Sequence, residues 1–197
     1  RHFKYSVLGK KVLILGAGGV VPSIIFALKK MKASNIVLSN RTKSKAENIK
    51  KIFPEIEIID WGKTGEFDMI INATSIGLKS DDEIKINYND FGKNKFFYDV
   101  IYNPKNTNFL KKAKELGNQI ENGKMMFIYQ AHQAFVIWHK ILPEIEIIDW
   151  GKTGEFHMII NATSIGLKSD DEIKINYNDF GKNKFFYDVI YNPKNTN

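Results

Sequence analysis

Apolar residues follow two different periods along this chain. Short, nearly unbroken apolar runs stand at 11–15 (KVLIL), 35–39 (NIVLS), 56–60, 68–73 (DMIINA) and 95–101 (KFFYDVI), and a shorter one at 119–121. Runs of this kind, bounded by glycine and polar residues, predict strands buried on both faces. Between them the apolar positions fall three and four apart. Ile24, Ile25, Leu28 and Met31 share one face of a helix expected over 20–32. A polar helix is expected over 43–52, stopped near Pro54, and another over 107–116, with Thr107 placed to cap it and Gly117 to end it. A long amphipathic helix is expected over 123–139. Strands alternating with helices at this spacing predict an α/β, doubly wound parallel sheet with helices on both faces.

The pattern then repeats. Residues 51–108 return at 140–197, offset by 89 positions, and of these 58 positions two differ: Phe53 becomes Leu142 and Asp68 becomes His157. Solenoid repeats diverge and tile a whole chain; this one does neither, and it reads as a partial duplication. Residues 1–142 are therefore taken as the natural unit, and 143–197 as a copy of 54–108 that either exchanges with its twin or packs as extra strands. Two copies able to fill one slot predict competition, with a domain-swapped homodimer as one outcome. The copy has no glycine loop of its own, so no second cofactor site is expected. Nothing in the sequence explains His157.

Composition narrows the picture only modestly. Lys and Arg number 29 against 22 Asp and Glu, a formal charge of +7. The lysines are scattered, which argues against a nucleic-acid footprint and suits a phosphorylated small molecule. No apolar run is long enough for a membrane span, and no signal peptide is readable at the start. Cysteine is absent, which excludes disulfides and cysteine-bound metal and fits a cytoplasmic protein. His132 and His139 stand seven apart without a carboxylate pattern, so no metal site is expected. Gly62 to Gly65 (GKTG) lacks the earlier glycine and following helix of a phosphate loop.

The chemistry lies where predicted strands end, the edge at which such sheets bind ligands. After the first comes Gly16-Ala17-Gly18-Gly19-Val20. Gly16 allows a tight turn, Gly18 lets backbone approach a pyrophosphate, and helix amides point at that anion. After the second comes Asn40-Arg41-Thr42, with Lys43 and Lys45 beyond. The acidic residue that accepts the ribose hydroxyl of NAD is missing there, and an arginine with a hydroxyl suits a 2′-phosphate, favouring NADP. After the fourth comes Asn72-Ala73-Thr74-Ser75-Ile76-Gly77, whose small polar side chains either contact a ligand or cap their own turn. After the fifth comes Asp99-Val100-Ile101-Tyr102-Asn103-Pro104, and Gly123 to Gln130 opens the last helix.

In this order the five motifs, continued by Thr107 to Leu110, Met126, Phe135 and Trp138, resemble the shikimate/quinate dehydrogenase family over about residues 8–142. The resemblance implies a Rossmann-like domain binding NADP. Gly16, Ala17, Gly18, Gly19 and Val20 would hold the pyrophosphate, and Asn40, Arg41, Thr42 and Lys45 the 2′-phosphate. Thr74, Val100 and Gly123 would line the nicotinamide side, and Tyr102 and Gln130 would reach the substrate. The implied reaction is reversible hydride transfer between NADPH and 3-dehydroshikimate in aromatic amino-acid biosynthesis, with quinate as an alternative substrate. The family's catalytic lysine and aspartate sit in segments of a preceding substrate domain that do not occur here, so no catalytic residue is expected in this chain. It is expected to bind NADP without turnover, as an NADP-binding fragment or duplicated chimera.

Overall fold

The computed structural model describes residues 5–140, 158–161, 178 and 185–188. The chain divides into two compact units, Arg1–Pro143 and Glu144–Asn197.

The described residues of the first unit form six strands and four α-helices. In chain order they are β1 (Lys11–Leu15), α1 (Val21–Lys30), β2 (Asn35–Ser39), α2 (Lys43–Ile52), β3 (Glu57–Ile59), β4 (Met69–Asn72), β5 (Phe96–Asp99), α3 (Asn108–Glu115), β6 (Gln119–Glu121) and α4 (Lys124–His139). A short 3-10 turn at Tyr88–Phe91 precedes β5; no periodicity announced it. The strands run parallel in the order β3-β2-β1-β4-β5-β6. This is the doubly wound arrangement, with its switch point between β1 and β4.

Successive residues of a strand face opposite sides, which explains the unbroken apolar runs. Val12 and Ile14, with Ile36, Leu38, Met69 and Ile71, pack on Ile24, Ile25 and Leu28 of α1 and Ala46 and Ile49 of α2. Leu13 and Leu15, with Val37, Ile70 and Phe97, pack on the other side against Tyr88, Phe91, Phe109, Leu110 and Ala113. A Leu, Ile or Phe side chain fully buried contributes about 1.5–3 kcal/mol, so both helical layers hold the sheet.

Element ends differ by a residue or two from the pattern, for local reasons. α1 stops at Lys30 because Lys32 turns to φ 59°, and its carbonyl accepts the Gly9 amide. β4 and β5 are shorter than their apolar runs, although the Asp68 and Val100 amides still bond the Lys11 and Asn72 carbonyls of the neighbouring strands. Thr107 does cap α3, its hydroxyl accepting the Leu110 amide, and Gly117 follows at φ 81°.

In the second unit, β7 (Met158–Asn161) and β8 (Phe185–Asp188) form a parallel two-stranded sheet. The remainder of the duplicated segment, His157 included, lies outside the described residues.

Candidate functional site

Register lines up the strand ends. Leu15 pairs with Ser39 on one side and Asn72 on the other, and Asn72 pairs with Asp99. The loops after these four residues therefore leave the sheet side by side. They are the four segments marked by sequence: 16–20, 40–42, 73–77 and 100–104. β6 aligns Glu121 with Tyr98, which brings Gly123 to the same edge.

Two loops meet at the switch point. Gly16 has φ 107°, and a Cβ there would stand 2.7 Å from the Ala73 carbonyl oxygen. A side chain is thus excluded twice, by backbone conformation and by space. The Gly16 amide bonds the Ser39 carbonyl at 2.8 Å. The amides of Ala17, Gly18, Gly19 and Val20 have no hydrogen-bond partner among the described residues. Gly18 and Gly19 are exposed, and α1 opens without a side-chain cap or an acidic residue in its first turn. Pro22 lies in that turn, where its missing N–H costs nothing. Unpaired amides at an uncapped helix start suit an anion.

The neighbouring loop is basic. The Asn40 amide donates to the Thr42 carbonyl at 2.7 Å and shapes the turn. Arg41, Thr42, Lys43 and Lys45 are exposed. Thr42 is the N-cap of α2 but makes no side-chain cap bond, and the first turn of α2 has no acidic residue. Lysines at a helix start oppose the helix dipole by roughly 0.3–1 kcal/mol each. A bound anion would reverse that term.

On the other side of the switch point the side chains bond one another. The Thr74 hydroxyl donates to Asn72 Oδ1 at 2.7 Å and accepts the Ile76 amide at 3.0 Å. Thr74 thus caps its own turn with the hydroxyl, its amide also donates to Asn72 Oδ1 at 3.0 Å, and its methyl group lies against Gly16. Asn72 and Asp99 are both 0% exposed and joined by a 3.0 Å bond. Gly123 lies directly on the β5 loop: a Cβ there would be 2.0 Å from the Val100 carbonyl oxygen. Tyr102 is half-buried and stacks on Phe127 of α4, ring centroids 4.8 Å apart. Burial pushes the Tyr102 hydroxyl above its ordinary range. Gln130 is exposed on α4, farther along from Gly123.

Asp99 had no role assigned from its motif, although a signal was present: apolar runs ending in Asn72 and Asp99 place two polar side chains where the sheet is fully covered. Burial pushes the Asp99 carboxyl up, while Thr107, the Ile101 amide and Asn72 all donate to it and pull the other way. Among the described residues no group of histidine and carboxylate side chains could hold a metal ion. Nor is any helix there long and apolar enough to cross a membrane.

Known proteins share this arrangement. A shikimate dehydrogenase (NADP(+)) of Pelagibacter ubique is 68% identical over 141 residues, which make up 72% of this chain and 53% of that protein. The crystal structure of the Thermus thermophilus shikimate 5-dehydrogenase in complex with NADP(H) and shikimate matches with a TM-score of 0.61 at 29% identity. The match covers 68% of this chain and 51% of that one. Ligand-free 5-ketofructose reductase of Gluconobacter matches with a TM-score of 0.62 at 34% identity, over 72% of this chain and 55% of that one. The chain spans about half the length of the curated relatives it matches. The family model for shikimate / quinate 5-dehydrogenase matches residues 1–108, and with the sheet order and the motif-bearing edge already described, the chain belongs to that family.

Proposed function

We propose that this chain is the cofactor-binding part of an NADP-dependent shikimate dehydrogenase. The observation carrying the reading is the alignment of Leu15, Ser39, Asn72 and Asp99, which sets an anion-suited loop beside a basic loop at one edge. The residues fit the cofactor. Gly16 makes the tight turn, and Ala17 to Val20 offer unpaired amides to the pyrophosphate. Asn40, Arg41, Thr42 and Lys45 offer positive charge and a hydroxyl to the 2′-phosphate, with no carboxylate among 40–46 to repel it. Thr74, Val100 and Gly123 border the nicotinamide side, and Tyr102 and Gln130 face the substrate. Bound there, NADP(H) supplies the hydride for interconverting 3-dehydroshikimate and shikimate.

The chain's own residues bind and orient. The glycine-loop amides would hold the pyrophosphate at the sheet edge. Tyr102, stacked on Phe127, is held at a set angle and offers a hydroxyl whose ionisation burial pushes further above its ordinary range. The reaction is proposed for the protein as a whole. The 5-ketofructose reductase neighbour is a reminder that this domain serves more than one hydroxy substrate, and quinate is the second reading. The cysteine-free sequence supports a cytoplasmic setting, and the two near-identical segments support exchange between two copies of the chain.

The test is a thermal melt with NADP and with NAD. Ligand at 100 times its dissociation constant adds about 2.7 kcal/mol of stability. A rise with NADP and little with NAD is expected; equal shifts with both would overturn the role of the Arg41 loop, and no shift with either would overturn the cofactor reading.

A further inference from the structure

We propose that Asp99 is a positioning residue that fixes the nicotinamide side of the site, leaving the adenosine side to the glycine and arginine loops. This rests on the cofactor reading above. It is carried by a chain of hydrogen bonds converging on one buried carboxylate. Asp99 Oδ1 accepts from Asn72 Nδ2 and from the Ile101 amide, each at 3.0 Å. Asp99 Oδ2 accepts from the Thr107 hydroxyl at 2.6 Å.

Each donor governs a different segment. Asn72 Oδ1 accepts from both the amide and the hydroxyl of Thr74, at 3.0 and 2.7 Å, and its Nδ2 also donates to the Ile76 carbonyl at 3.1 Å. The Ile101 amide lies between Val100 and Tyr102, and the Ile101 carbonyl accepts from the Gly123 amide at 3.2 Å. Thr107 caps α3 and fills the space against Gly77, whose added Cβ would meet the Thr107 methyl at 3.1 Å. Thr74, Val100, Tyr102 and Gly123 therefore all take their positions from a group that touches no ligand itself. The glycine loop and the Asn40–Thr42 loop send no side chain into this network.

The chemistry of the carboxylate matters as well as its shape. Three donors converge on two acceptor oxygens, and a carboxylate satisfies all of them as acceptor alone. Burying that charge is costly unless every bond is made. Asparagine has the same outline but presents a donor where the Thr107 hydroxyl already donates. Thr107 Oγ1 also receives the Leu110 amide, so turning its hydroxyl round leaves a proton unplaced. The Asp99→Asn change therefore loosens the Thr74 and Ile101 turns without emptying the core.

The experiment measures two dissociation constants on the full chain, for NADPH and for 2′,5′-ADP, which carries the adenosine half alone. Fluorescence of the bound nicotinamide ring is recorded alongside. D99N is expected to weaken NADPH at least tenfold and to lose the nicotinamide emission change, with 2′,5′-ADP within twofold of the native value. T107V keeps the carboxylate but removes one donor; it should move in the same direction by less and serves if D99N does not fold. T107S keeps the hydroxyl and should restore native binding. Native-like NADPH binding by both D99N and T107V would overturn the proposal, as would equal loss of both probes. If the native chain bound neither probe, the cofactor reading would fall and this inference with it.

Discussion

Gly123 offers the sharpest separation of packing from binding. Replacing it with alanine puts a Cβ 2.0 Å from the Val100 carbonyl oxygen, 2.6 Å from its carbon and 3.1 Å from its Cα. Carbon and carbonyl oxygen ordinarily approach no closer than about 3.3 Å, so the start of α4 must retreat by about 1.3 Å. No rotamer relieves the clash, because both sides are backbone. Val100 is tied by its amide to the Asn72 carbonyl at 3.0 Å, and Gly123 by its own to the Ile101 carbonyl at 3.2 Å. Overpacking typically costs about 1–3 kcal/mol, and two fixed backbones place this case near 3. At about 4 °C per kcal/mol for a domain of this size, G123A should melt roughly 12 °C below the native protein. Gly18 is the contrast: its added Cβ meets nothing closer than the Ala73 oxygen at 3.8 Å, and its φ lies outside the left-handed region. G18A should melt within about 2 °C of native, since unstrained surface changes stay near 0.5 kcal/mol, yet weaken NADPH by filling the approach to the pyrophosphate. Circular dichroism melts paired with NADPH titrations read both. A G123A protein melting within 2 °C of native would refute the close-packing argument, and native-like NADPH affinity in G18A would refute the loop's role.

Removing charge from the second loop should act on cofactor choice. R41A and K45A are expected to weaken NADPH severalfold in a salt-sensitive way and to leave NADH nearly unchanged, measured by titration at two ionic strengths. Asp68 should mark the acid limb of stability. Its Oδ2 accepts the Lys11 amide at 2.9 Å and its Oδ1 pairs with Lys10 at 3.5 Å. The amide first, then the lysine charges, hold its carboxyl below the ordinary range. A depressed carboxylate stabilises above its unfolded pKa and loses that contribution as pH falls through the lower folded value. D68N should therefore melt lower than native at pH 7, with the gap closing below about pH 4; a gap that is constant with pH would count against the assignment.

The fold was legible wherever period and polarity spoke together. β1, β2, α2 and β6 begin and end where their runs do, because glycine, serine or a polar turn bounds them. The parallel, doubly wound sheet followed from the alternation of strands and helices. The motif loops were legible because glycines and basic residues stand after strands. Less legible was the work of the polar side chains that close β4 and β5. Asn72, Thr74, Asp99 and Thr107 are separated by up to 35 positions in sequence and become one network only through the register between β4 and β5. Single-sequence periodicity carries no such long-range pairing, so Thr74 read as a ligand contact or a self-capping turn, and its hydroxyl proves to do the second. The 3-10 turn at Tyr88–Phe91 was missed for a related reason: four residues are too few to show a period, and Tyr88 and Phe91 are buried against Phe97 and Phe109 by tertiary packing.

The duplicated segment separates what a strand pair decides for itself from what the sheet decides. β7 and β8 pair in the register of β4 and β5: Met158 with Phe185, as Met69 with Phe96, through to Asn161 with Asp188, as Asn72 with Asp99. The register is thus a property of the segment, carried by its side-chain alternation. The place beside β1 is another matter. In the first copy Asp68 receives the Lys11 amide and its carbonyl receives the Tyr5 hydroxyl and the Phe96 amide, so the residue entering β4 ties three segments together. The second copy has His157 at that position. A histidine side chain cannot give a backbone amide the ionised acceptor a carboxylate gives, nor pair with Lys10. Of the two nearly identical segments, the first alone carries at this position a carboxylate of the kind that meets the Lys11 amide and Lys10.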